Sequence, residues 1–132
     1  MSEPISGGCL CGGVTYEVRD PQVMGTCHCT RCQRWSGGAS YTVLVVEDKN
    51  FKVTKGQDLV KKYQESGFGD RHFCSNCGSS LFGGGGGRYY VGAGTLKAHG
   101  MKPAFHIQVA YKAPWDEIAG DAPQFPEWPP NM

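Results

Sequence analysis

Surplus charge is what this chain most lacks. Thirteen Lys and Arg oppose twelve Asp and Glu, leaving +1 at neutral pH over 132 residues. So small an excess offers no general attraction to nucleic acid or to an anionic membrane surface. Long apolar runs are missing as well, and none approaches the ~20 residues of a membrane span. Residues 1–8 carry neither a basic start nor an apolar stretch, so no secretory leader is expected. The expected location is therefore the cytoplasm, where thiols stay reduced. Internal repeats, composition breaks and a convincing long helix are also absent, which predicts one domain over residues 1–132. Glycine is the residue in excess, at 20, and a chain rich in turns favours short strands over long helices.

Strand signals are spread along the chain. Residues 14–18 are β-branched and aromatic and stop at Asp20-Pro21. Residues 39–46 form a mostly apolar run without clean alternation, as in a strand buried on both faces. Shorter strands are expected at 51–54 and 80–82, with an alternating one at 105–109. Residues 58–64 fit one helical turn or a strand, the strand at 59–63 slightly better, and 71–73 lead into the last cysteine pair. The five glycines from Gly83 to Gly87 are followed by Arg88, not by the Gly-Lys-Ser/Thr of a phosphate loop. They predict a hairpin turn rather than a phosphate cradle. From Pro114 onward, five prolines with Trp115 and Trp128 predict an irregular tail wrapped over the surface. Lys49, Lys52, Lys55, Lys61 and Lys62 read as a solvated face.

The seven cysteines carry the chemistry. They fall into three clusters: Cys9-Leu10-Cys11, Cys27-His28-Cys29 with Cys32, and Cys74 with Cys77. An odd count in a reducing compartment argues for metal ligands over a disulfide framework. Cys74-Ser75-Asn76-Cys77-Gly78 is a knuckle in which glycine lets the chain turn beneath a metal. Cys9-Leu10-Cys11-Gly12 is a tighter version of it. Joining the two pairs makes a closed four-cysteine site, which supplies folding free energy rather than chemistry. Two other arrangements are a ribbon joining Cys29 and Cys32 to Cys74 and Cys77, and buried thiols without metal.

Cys27, Cys29 and Cys32 then remain as three sulfurs within six residues, a ligand set with one position open. Three thiolates on a divalent ion leave a net negative charge. That suits an exchangeable soft ligand such as a substrate thiolate better than it suits hydrolysis. A site closed by a histidine such as His28, or a thiol cluster without metal, would also fit the spacing. His28 lies between two ligands and is expected beside the metal or in solvent rather than on it. Arg31 and Arg34 flank the third thiol and are candidates to hold a substrate carboxylate; they would otherwise offset thiolate charge or face water. His72, His99 and His106 read as structural or exposed.

These motifs, in this order, resemble the glutathione-dependent formaldehyde-activating enzyme family, which is related to centromere protein V. The likeness rests on Gly8-Cys9-Leu10-Cys11-Gly12, Cys27-His28-Cys29-Thr30-Arg31-Cys32, Arg34-Trp35-Ser36-Gly37-Gly38 and Arg71-His72-Phe73-Cys74-Ser75-Asn76-Cys77-Gly78. It continues through Val91-Gly92-Ala93-Gly94-Thr95-Leu96, Pro103 with His106, and Ala113-Pro114-Trp115. The resemblance implies a mainly β, β-tent fold of two antiparallel sheets stapled by a structural zinc on Cys9, Cys11, Cys74 and Cys77. It also implies a second, catalytic zinc on Cys27, Cys29 and Cys32 that need not be fully loaded. The implied activity is that of a carbon–sulfur lyase, joining glutathione and formaldehyde into S-hydroxymethylglutathione or acting on a related small thiol. The expected partner is a glutathione-like thiol, without nucleic acid or membrane, on a monomer or weak homo-oligomer. The alternative is a non-catalytic zinc module that binds a protein partner.

Overall fold

In the strand Thr15–Val18, Tyr16 and Val18 are buried while Thr15 and Glu17 are not. This is the period-two pattern of a sheet with one wet face. The computed structural model describes residues 3–65, 67 and 69–130. Among the described residues ten strands form two sheets. They are β1 (Ile5–Gly8), β2 (Thr15–Val18), β3 (Val23–Cys27), β4 (Tyr41–Glu47), β5 (Phe51–Lys55), β6 (Val60–Gln64), β7 (Asp70–Cys74), β8 (Ser80–Gly85), β9 (Arg88–Gly92) and β10 (His106–Ile107). The smaller sheet has the order β1-β2-β5, and the larger β10-β3-β4-β9-β8-β7-β6. Among the described residues no helix is long and apolar enough to cross a membrane.

The chain is thus mainly β in two sheets, antiparallel except where β10 runs parallel to β3. The core lies between the sheets. Val14, Tyr16 and Val18 on one side meet Leu44, Val46, Leu81, Phe82 and Val91 on the other. Each large apolar side chain so buried contributes about 1.5–3 kcal/mol. Phe82 sits at the junction. Its ring meets Tyr16 edge-on at 5.9 Å and Phe51 at 4.8 Å, and stacks on His72 at 4.5 Å.

The run at 39–46 becomes β4, and its lack of alternation has a specific cause. Leu44 and Val46 face the core, while Tyr41, Val43 and Val45 line a cavity on the opposite face. The glycine run closes a hairpin as expected. Gly85 pairs with Arg88, and Gly86 and Gly87 turn at φ 63° and 80°. Both turn residues have positive φ, a conformation that glycine adopts without the steric cost of a Cβ.

Two expectations need correction. The strand expected at 105–109 is only His106–Ile107, because residues 109–111 coil into a short 3₁₀ turn. The one α-helix among the described residues, α1 (Thr30–Ser36), has no counterpart in the sequence reading, since two turns carry no readable period. The proline-rich tail forms no strand of its own. Its residues Pro123 to Glu127 bond through the backbone to residues 106–110, including Phe125 N–H to the His106 carbonyl at 2.9 Å. All five lysines named above are exposed, and Lys61 and Lys62 guard the β6 edge against further strand pairing.

Candidate metal centres and cavity

The cysteines sort into the two groups that the spacing allows. None is in a disulfide. Ligand atoms of Cys9, Cys11, Cys74 and Cys77 all lie within 4.8 Å of one another, and so do those of Cys27, Cys29 and Cys32. Both groups are therefore positioned to bind a metal ion, and the mixed ribbon arrangement does not form.

The four-sulfur group joins the turn after β1 to the turn after β7. Cys9 and Cys11 sulfurs are 3.5 Å apart, and Cys11 lies 3.9 Å from Cys74. Gly12 and Gly78, each at φ 78°, reverse the chain behind each pair. Polar hydrogens converge on the sulfurs: Val14 N–H on Cys9 at 3.2 Å, Gly13 N–H on Cys11 at 3.4 Å, and the Ser79 hydroxyl on Cys77 at 3.1 Å. The Ser79 hydroxyl is the main cause that brings Cys77 down to about 5. Hydrogen bonds to sulfur favour thiolate, the form that ligates metal, so the donor set fits a thiophilic ion such as zinc.

The three-sulfur group is built on the junction of β3 and α1. Cys27 ends β3, Cys29 caps α1, and Cys32 lies buried in the first turn. The Cys29 sulfur accepts the Cys32 N–H at 3.3 Å, taking the role usually filled by a Ser or Asp oxygen. Hydrogen bonds from Cys27 first, then from Cys32, pull the Cys29 thiol down to about 2. The same contact with Cys29 pushes Cys27 strongly upward. Among the described residues no fourth Cys, His, Asp or Glu joins this group.

His28 points elsewhere. It is 2% exposed and its Nε2 lies 2.9 Å from Nδ1 of His106, so it is a buried partner rather than a solvent group. Burial lowers the pKa of both rings and keeps them neutral. His28 Nδ1 is buried without a hydrogen-bond partner.

A cavity of about 660 Å³ opens beside the three sulfurs, and Cys27 and Cys32 form part of its wall. Val23, Val43, Val45, Phe105 and Ile107 supply apolar lining. Gly25 admits the Phe105 ring, because a Cβ there would lie 2.6 Å from it. None of the four cysteines of the other group lines this cavity.

The two arginines that flank the third thiol differ in their settings. Arg31 makes a salt bridge through Nε with Glu65 Oε2, and Arg34 is exposed in the last turn of α1. Neither lines the cavity, whereas Arg71 and Arg88 do. Arg71 belongs to the Arg71-His72-Phe73-Cys74 motif but is not among the residues that the sequence marks for the site. No local signal places it there, since sheet order brings the β7 strand beside the cavity.

The family model for the glutathione-dependent formaldehyde-activating enzyme matches residues 4–111. A Halomonas elongata protein provisionally named as such an enzyme is 32% identical over 85 residues, covering 59% of this chain and 54% of that protein. An uncharacterized lyase of Schizosaccharomyces pombe is 30% identical over 78 residues, covering 58% and 54%. The matches thus span about half the length of these curated relatives. A crystal structure of a Rhodobacter sphaeroides protein has the same fold. Its TM-score is 0.63 at 21% identity, over 90% of this chain and 98% of that one.

Proposed function

Because the chain belongs to the glutathione-dependent formaldehyde-activating enzyme family, we propose that it is a zinc-dependent carbon–sulfur lyase acting on a thiol–aldehyde adduct. The thiol is glutathione or a related small thiol, and the aldehyde formaldehyde or a close equivalent. One observation carries the proposal: three cysteine sulfurs meet beside a cavity, Cys27 and Cys32 in its wall, with no fourth protein donor among the described residues. A scaffold would need only the closed group.

In this proposal Cys9, Cys11, Cys74 and Cys77 hold a structural zinc, and Cys27, Cys29 and Cys32 a second one. A zinc ion on the three thiolates would supply Lewis acidity and an exchangeable position suited to a thiolate sulfur. The protein's own contribution is positional. Helix α1 presents Cys32 and Trp35 to the cavity at i and i+3, and β4 walls it with Val43 and Val45. Those apolar walls limit water around the reacting groups, which strengthens the electrostatics inside. In the forward direction the substrate sulfur adds to the carbonyl carbon. The thiol proton passes to water, the π pair moves to oxygen, which takes a proton from water in its turn, and the reverse reaction expels the thiol. Arg31 acts through Glu65, and Arg34 is given no contact with substrate. We place the protein in the cytoplasm, where its thiols would stay reduced.

The test is Cys29→Ser. It should remove one of two zinc equivalents and abolish adduct formation, followed by NMR, while circular dichroism stays that of wild type. Adduct formation that survives loss of that zinc would refute the proposal.

A further inference from the structure

The cavity holds a cation that the chemistry above leaves unused. Arg71 leaves β7 with its side chain 17% exposed and lines the cavity together with Cys27, Cys32 and Trp35. Two contacts fix its guanidinium. Nε donates to Glu65 Oε1 at 2.9 Å, and Cζ lies 5.5 Å from the centre of the Trp35 ring. The first restrains one edge and the second the flat face, while the guanidinium also reaches the Cys32 sulfur, so its remaining N–H donors are presented beside that thiol. Among the described residues Glu65 is the only carboxylate in salt-bridge contact with Arg71, and Glu65 is shared with Arg31. Asp70, the acid that does line the cavity, is engaged through Oδ1 with His72 Nε2 and Gly84 N–H.

We propose that Arg71 is the anion anchor of this cavity, its guanidinium held by Glu65 and Trp35 so that it receives an oxygen-centred anion of the substrate beside Cys27 and Cys32. A planar fork of donors suits such an anion better than an ammonium does. The inference rests on the thiol–aldehyde chemistry proposed above. The anion has two possible sources with the same chemistry: a carboxylate carried by the thiol, or the oxygen that becomes negative when sulfur adds to the carbonyl carbon. Arg71 remains protonated in both cases and gives up no proton.

Zinc-loaded wild type, Arg71→Gln and Arg71→Lys would be titrated by tryptophan fluorescence with propionate, 3-mercaptopropionate and 3-mercapto-1-propanol. Adduct formation of each thiol with formaldehyde would be followed by NMR. If the carboxylate is the source, Arg71→Gln weakens both carboxylates by about ten- to hundredfold and leaves 3-mercapto-1-propanol unchanged. If the developing oxygen is the source, both thiols bind as in wild type and kcat falls about a hundredfold for each. Arg71→Lys, which keeps the charge without the fork, should fall between. Should wild type turn over neither thiol yet bind propionate through Arg71, the lyase proposal fails and the anchor stands. Unchanged anion binding and unchanged kcat in a zinc-replete Arg71→Gln protein would overturn the anchor. So would a defect that excess zinc fully restores, since Arg71 would then only balance the charge of the thiolates.

Discussion

Replacing Glu65 by Gln keeps its shape and an acceptor oxygen but removes the charge that two guanidinium groups share. The Arg71 arm is little exposed, at 17% and 18% for the two side chains, while Arg31 is 37% exposed. The solvated Arg31 arm is worth less than 1 kcal/mol or so, and the charge-assisted bond to Arg71 about 1.5 kcal/mol. The expected loss is therefore about 2 kcal/mol at pH 7, or about 6–8 °C in Tm for a domain of this size. The sign with pH follows from the carboxyl. The Arg31 hydrogen bond first, then Arg71, holds it at about 2 against an ordinary value of 4.5. A depressed carboxyl stabilises the fold fully above pH 4.5 and loses that contribution as the pH falls toward 2. Urea denaturation of zinc-loaded wild type and Glu65→Gln should thus show a constant gap from about pH 8 to 5.5. Coincident midpoints at pH 7, or a gap that changes across this range, would refute the reasoning.

Cys74→Ser should behave unlike Cys29→Ser. Cys74 is fully buried and helps tie the start of the chain to the β7–β8 turn, so the variant should lose a zinc equivalent and its cooperative thermal transition together, seen by metal analysis and calorimetry. Phe82→Ala removes the ring that meets both sheets and should cost about 3–5 kcal/mol; a urea midpoint shift of less than half that would mean the intersheet contact is loose. Gly25→Val places a Cβ where the Phe105 ring now lies, 2.6 Å away. It should displace a cavity wall and change KM several-fold with zinc content intact, and an unaltered KM would exclude that wall from substrate contact.

The sequence made the sulfur chemistry legible because metal-ligand spacing is local. Each turn brings two cysteines together, and only the partnership of Cys9 and Cys11 with Cys74 and Cys77 needed the fold. Strands with strong β propensity, such as β2 and β5, were readable for the same reason. Val23–Cys27 was not, since Met24 and Gly25 dilute its signal. Ile5–Gly8 ends in two glycines and is held by pairing with β2. Helix α1 hid behind a cysteine cap, an uncommon residue for that role. Arg31 and Arg34 drew notice by adjacency to Cys32, but a helix turns neighbours onto different faces, and Arg34 faces outward. Arg71 enters the cavity from a strand 39 positions after Cys32, a proximity created by sheet order alone. The His28–His106 pair likewise depends on the parallel β3–β10 contact, which no local pattern announces.

The parity of β4 has an evolutionary consequence. Its even positions Leu44 and Val46 answer to folding, and its odd positions Tyr41, Val43 and Val45 to whatever molecule is admitted. Selection can therefore retune ligand preference at the odd residues while the even ones are conserved for packing. A single strand in this way offers descendants new specificities that do not each demand a compensating repair of the interior.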